Sequence, residues 1–171
     1  MQRHGGVVQS LAMLPLLIPH LLISISLLMA LNFVSLPDFV SLLAGHVLIC
    51  TPFTVAGVAA SLDGVDAQLE SAAMTLGASH LTALLEVVVP LVAPGVLSAL
   101  LFAFVVSFGD VYIALFLSGP GTTTLPIEIF SYVQWESSPV IAAITSVQIM
   151  MIVVLGLAIE KLVGLRRIMR I

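Results

Sequence analysis

Between Arg3 and Lys161 the chain carries no lysine or arginine, and charged residues make up only 8% of its 171 positions. A soluble domain averages about 25% charged residues, so that class is excluded. Cysteine occurs once, at Cys50, which rules out an internal disulfide. With no ligand cluster around it, the thiol reads as a small apolar residue, and no metal site is expected. Lys161 is the one lysine, and the sequence holds no G-x-x-x-x-G-K-[ST] phosphate loop and no H-E-x-x-H motif. The chain therefore carries no nucleotide-hydrolysing motif of its own, and no cofactor is expected. The scattered histidines join no serine and acid at a catalytic spacing, so an intramembrane enzyme would lack its machinery.

What the chain does have is apolar length. Hydrophobic residues reach 60% and the mean hydropathy is +1.24. A hydrocarbon core of ~30 Å needs roughly 20 apolar residues in helical form, and such runs occupy 11–31, 39–60, 95–117 and 140–162. These predict an all-α membrane protein with four transmembrane helices in a single domain over 1–171. The first run is too long for a signal-peptide core, and no small-x-small cleavage site follows it. Arg3 lies at one end and Lys161, Arg166, Arg167 and Arg170 at the other; the positive-inside rule then places both termini in the cytoplasm, which agrees with an even number of spans. The outer connections hold Asp38, Glu128 and Glu136 without a basic residue, a net negative face.

One polar island interrupts the apolar runs, between the second and third spans at about 63–90. Val65, Leu69, Ala72, Ala73, Leu76, Ala83, Leu84 and Val87 recur at helical spacing, with Asp66, Glu70, Thr75, Ser79 and Glu86 largely off that stripe. The pattern predicts an amphipathic helix or a helical pair. Gly77 lies in its middle, where glycine costs ~1 kcal/mol against alanine, and so marks a turn or a close backbone contact. Pro90 and Pro94 are expected to stop the helix and redirect the chain. Such a helix lies on lipid or binds a protein; helices on lipid usually carry Lys and Arg on the polar face, and this one has neither, which favours a protein partner.

The island reads ESAAMTLGASHLTALLEVVVPLVAPG, and in it Ser71, Ala72, Ala73, Gly77, Ala78, Ser79, Val89, Pro90, Pro94 and Gly95 fall in the register of a known loop: E-A-A, three residues, G-A-S, then a hydrophobic-Pro step. Together with GHVLICTPF upstream and SFGDVYIALFLSGPGTTTLPIEIFSY downstream, it resembles the permease subunits of binding-protein-dependent ATP-binding-cassette importers, particularly the spermidine/putrescine-type branch. The resemblance implies a type I importer permease bundle in the cytoplasmic (inner) membrane. Its partners would be a cytoplasmic ATP-binding subunit, a second permease subunit and an extracytoplasmic solute-binding protein, with no nucleic acid. It also implies that the loop, through Glu70, Ser71, Ala72, Ala73, Gly77, Ala78, Ser79 and Pro90, is a coupling helix that transmits closure of the ATPase dimer to the spans. Two positions depart from the family. Ser71 stands where the acid is usual, with Glu70 one residue earlier and thus rotated by ~100°, and Leu85 and Glu86 occupy positions that are often basic. Relatives generally have six spans, so the chain is expected to begin near the third of them. The competing expectation is a non-transporting membrane fragment or assembly factor.

Asp110 is the candidate for substrate contact, with Tyr112 and Trp135 as further candidates. Counted from Pro94, Asp110 falls roughly 24 Å along the third span, in the outer half of the bilayer. A carboxylate there must face protein or a water-filled cavity, or else snorkel to the outer surface. Tyr132 and Trp135 fit an interfacial aromatic belt. His46 and Cys50 share a helix face at i, i+4, too few ligands for a metal; His20 is expected at a helix interface, and His80 in the loop toward the ATPase. The acid and the negative outer face favour a polyamine-like cation.

Overall fold

A computed structural model describes residues 2–135 and 139–168; Glu136 and Arg170, which carry part of the charge argument above, lie outside them. Every regular element among these residues is helical. They are α1 (Gln2–Met13), α2 (His20–Asn32), α3 (Asp38–Asp63), α4 (Ala67–Thr75), α5 (His80–Ala83), α6 (Val89–Gly109), α7 (Tyr112–Leu117), α8 (Leu125–Trp135) and α9 (Pro139–Ile168).

The first apolar run takes a different course from the straight span expected over 11–31. Its two halves, Gly6–Leu17 and His20–Asn32, meet at 103°. The reason is local. Pro15 opens a single 3-10 turn over Leu14–Leu17, and Ile18, forced out of the helical region by Pro19, is extended at φ −110°, ψ 130°. Pro19 then starts α2, its carbonyl accepting from the N–H groups of Leu22 and Ile23.

Among the described residues, three helices are long and apolar enough to cross a membrane unaided: Asp38–Asp63, His80–Gly109 and Pro139–Ala158. The third expected span, 95–117, is thus redrawn at both ends. It begins at His80, because Pro90 and Pro94 do not stop the helix as expected. A π-helical turn over Leu84–Val88 precedes Pro90 and opens the spacing where a proline ring would strike the carbonyl four residues back. It ends at Gly109, where Asp110 is extended (φ −78°, ψ 127°) and a new short helix, α7, follows. Residues 80–90, expected in the loop, are thus helical and continuous with the long apolar helix that ends at Gly109.

The densest packing joins α3 to α6 as an antiparallel pair. Small residues let the two backbones close: a Cβ on Gly57 would meet that of Ala99, and one on Gly95 would meet Ser61 Oγ. This is the packing that lipid favours, because apolar surface gains nothing by leaving hydrocarbon and only close contact holds helices together. Farther along the same seam Cys50 Sγ donates to Ala103 O at 3.2 Å, and His46 Nδ1 and Ser107 Oγ stand 3.0 Å apart. Hydroxyls inside the spans are satisfied by carbonyls one turn back: Ser24 to His20, Thr51 to Val47, Ser61 to Gly57 and Ser98 to Pro94.

A small core of Ile23, Leu42, Ile49, Ile113, Ala114 and Leu117 ties α2, α3 and α7 together. Gly45 admits this packing, since a Cβ there would lie 2.6 Å from Ile113 Cγ2 and 2.7 Å from Leu117 Cδ1. After α7 the chain makes a type II turn, Gly119–Pro120–Gly121–Thr122, with Gly121 at φ +84° and the Thr122 N–H bonded to Gly119 O at 3.0 Å. It then forms α8, a helix inside the stretch expected to be an outer connection.

Candidate functional site

Two places in this frame gather polar groups. The first is the junction of α6 and α7. Asp110 is 7% exposed there, and both its carboxylate oxygens are engaged. Oδ1 accepts from the Ile113 N–H at 2.7 Å, capping α7, and Oδ2 accepts from His20 Nδ1 at 2.9 Å. The carboxylate faces protein, so the snorkelling alternative is set aside. The bend at Ile18–Pro19 is what delivers His20: it turns the first residue of α2 toward a residue ninety positions later in the chain.

A cavity of about 240 Å³ borders Asp110 and is lined also by His46, Phe104, Ser107, Phe108, Thr124, Leu125 and Pro126. Phe104 and Phe108, one turn apart on α6, stack at 5.3 Å between ring centres. Thr124 Oγ1 is buried without a hydrogen-bond partner, while its backbone carbonyl starts α8 by accepting from Ile127 and Glu128. The residues around the cavity thus include one carboxylate, two phenyl rings, two hydroxyls and an imidazole. This set suits a small solute with an ammonium group: the acid supplies charge, the rings cation–π contact and the hydroxyls lone pairs.

Tyr112 and Trp135 line no part of this cavity. Tyr112, the first residue of α7, is 46% exposed, and Trp135, at the end of α8, is 84% exposed. His20, Phe104, Phe108, Ser107 and Thr124 were not singled out for the site. The spacing of Phe104, Phe108 and Asp110 was a readable signal, whereas nothing in the sequence marks His20 as the partner of Asp110.

The second place is the loop between α3 and α6. Asp66 caps α4, its side chain accepting from Gln68 N at 2.9 Å, and Ser79 caps α5, accepting from Thr82 N at 3.1 Å. Between them α4 ends in a Schellman turn: Gly77 N bonds Met74 O and Ala78 N bonds Ala73 O, with Gly77 at φ +98°. Nothing lies within 4 Å of a Cβ built on Gly77, so it marks a turn rather than a close contact. Glu70 Oε1 reaches back across this turn to His80 Nε2 at 3.2 Å, a role that Ser71 cannot fill, since its hydroxyl bonds Ala67 O within α4. Ala72 is exposed and Ala73 and Ala78 half-buried, and Leu76 projects from the pair at 90% exposure, with Leu69, Met74 and Leu81 also exposed.

Residues 2–166 match the family described as "Binding-protein-dependent transport system inner membrane component". Among curated proteins, the spermidine/putrescine transport system permease protein PotC of Haemophilus influenzae is 32% identical over 150 residues, covering 87% of this chain and 58% of that protein. PotC of Escherichia coli is 33% identical over 141 residues, 82% of this chain and 53% of its own length. The putrescine transport system permease protein PotI of Escherichia coli is 33% identical over 139 residues, 77% and 50% respectively. The chain spans about half the length of these relatives. An all-helical fold, candidate spans interrupted by one helical loop, and a match along nearly the whole chain agree: this protein belongs to the family of inner membrane components of binding-protein-dependent transport systems.

Proposed function

We propose that the chain is a membrane-embedded permease subunit of an ATP-binding-cassette importer, and that it passes a polyamine-like cation across the cytoplasmic membrane. The observation that carries this reading is the exposed α4–turn–α5 pair, set between the two helices that pack most closely. A protein gripping that turn moves α3 and α6 together, and the cavity beside Asp110 is lined by those same helices. Closure of an ATPase subunit against the loop is then passed to the site as a rigid-body displacement. Both termini and the loop lie on the cytoplasmic side in this reading, with a second permease subunit completing the pathway and a solute-binding protein delivering cargo from outside. The cation preference comes from Asp110, from Phe104 and Phe108, and from relatives named for spermidine and putrescine.

Native mass spectrometry of the complex extracted from its own membrane, followed by reconstitution in vesicles, tests the reading. A nucleotide-binding subunit should accompany the chain, and labelled putrescine should enter only with ATP on the loop side. A chain that is extracted alone, without ATP-dependent flux, is a non-transporting membrane component. Within the complex, Gly77→Val should uncouple the two activities. Valine at φ +98° is strained by roughly 1–2 kcal/mol, so the Schellman turn opens; ATP hydrolysis should persist while flux per ATP falls at least about fivefold. Undiminished flux would remove the turn from the coupling path.

A further inference from the structure

We propose that Thr124 sets the selectivity of the cavity: its hydroxyl turns to accept an N–H from a bound ammonium group, so that primary amines are taken in preference to amines whose nitrogens are methylated. The proposal rests on the reading of Asp110 as a cation site. It starts from a polar atom left without a partner. Among the described residues, Thr124 Oγ1 is the buried side-chain polar atom that makes no hydrogen bond, and such a group is destabilising until some state of the protein satisfies it.

The local sequence explains why the fold leaves this hydroxyl unused. Thr124 stands directly before α8, where a threonine side chain ordinarily accepts from the N–H of the second or third helical residue. The second is Pro126, which has no N–H, and the N–H groups of Ile127 and Glu128 go to the Thr124 backbone carbonyl at 3.1 and 3.2 Å. Oγ1 is enclosed by this chain's own atoms, which keeps lipid and any neighbouring subunit from it. The open space beside Thr124 is the cavity that it helps to line. A turn of about 120° around χ1 carries the hydroxyl to another staggered position on the same Cβ, and a ligand in the cavity is what would draw it there.

The other polar side chains around the cavity are already engaged. His46 Nδ1 and Ser107 Oγ stand 3.0 Å apart, and Asp110 holds the Ile113 N–H and His20 Nδ1. An ionised carboxylate has about four lone-pair positions, so Asp110 can take a further donor. A primary ammonium has three N–H groups; it can give one to Asp110 and a second to Thr124. A tertiary ammonium has a single N–H. With that one on Asp110 the Thr124 hydroxyl stays without a partner, although the charge and the contact with the phenyl rings are kept.

Binding of putrescine and of its N,N,N′,N′-tetramethyl derivative to the whole complex in lipid nanodiscs, together with the Tm of the complex without ligand, tests the assignment. The wild type should prefer putrescine by about tenfold or more. Thr124→Val keeps the shape of the side chain and removes the hydroxyl. It should weaken putrescine by about 10- to 100-fold, the range of one hydrogen bond to a charged group, and the tetramethyl compound by less than about threefold. Its Tm without ligand should equal that of the wild type or lie a few degrees higher, because a buried polar group that bonds nothing has been removed. Thr124→Ser, which keeps the hydroxyl, should bind putrescine within about threefold of the wild type. Putrescine binding unchanged in Thr124→Val, an equal loss for both compounds, or a Tm lowered by several degrees would each overturn the proposal; the last would mean that the hydroxyl is bonded to a buried water and serves the fold. Asp110→Asn separates the two readings: undiminished putrescine binding there removes the cation site itself, whereas binding lost in Asp110→Asn and kept in Thr124→Val removes only the role of Thr124.

Discussion

Asp110→Asn is expected to raise the KM for a polyamine by about 10- to 100-fold while leaving the protein folded. Asparagine has nearly the shape of aspartate, and its carbonyl oxygen can still accept from the Ile113 N–H that caps α7. Its amide can donate to His20 Nδ1 once the imidazole takes the other tautomer, so neither neighbour is left unpaired. What disappears is charge. A hydrogen bond to a charged group is worth about 1.5–3 kcal/mol, which is roughly one to two powers of ten in binding. Initial rates of labelled putrescine uptake against concentration, together with the Tm of the purified complex, measure both halves of the expectation. Asp110→Ala should behave differently: it orphans a buried N–H and a histidine together, and stability should fall by about 1–3 kcal/mol along with uptake. If KM in Asp110→Asn equals that of the wild type, the carboxylate is a helix cap and nothing more.

That a carboxylate at position 110 needs a partner was legible in the sequence, because an acid inside an apolar run is costly unless something receives it. What receives it was not legible. The partner lies ninety residues upstream, beyond a bend set by Pro15 and Pro19, and hydropathy averages report composition without reporting path. The expected spans over 39–60 and 140–162 fall within the helices α3 and α9, because uninterrupted apolar length leaves the backbone no other way to satisfy its polar groups in lipid. Pro90 and Pro94 misled for the opposite reason. Their effect depends on the turn before them, and one widened turn over Leu84–Val88 accommodates what a regular helix would not. In the loop, Gly77 was readable because its work is local: a left-handed turn needs only its immediate neighbours. The pairing of Glu70 with His80 appears only once that turn has folded the two helices back on each other.

The other large effect belongs to the α3–α6 seam, where Gly57→Leu should prevent a stable complex from being recovered. Gly57 and Ala99 touch so closely that even a single methyl on Gly57 collides with the Ala99 side chain, and a leucine must push the helices apart. Overpacking of this kind costs about 1–3 kcal/mol, occasionally more. Separation at Gly57 also loosens the contacts of Cys50 with Ala103 and of His46 with Ser107 farther along the same pair, and hydrocarbon offers no hydrophobic force to draw the helices back. Gly57→Ala is the graded version: its Tm should fall by several degrees, and Ala99→Gly in the same chain should recover most of the loss, because it removes the methyl that the new one strikes. Thermal unfolding of the two single variants and the double variant forms a closed cycle. A double variant no more stable than Gly57→Ala would mean that the seam is not held by this contact. The graded pair should also reach function, since α3 and α6 both flank the α4–α5 loop and line the cavity: Gly57→Ala should lower flux per ATP, and Ala99→Gly should return it together with the Tm.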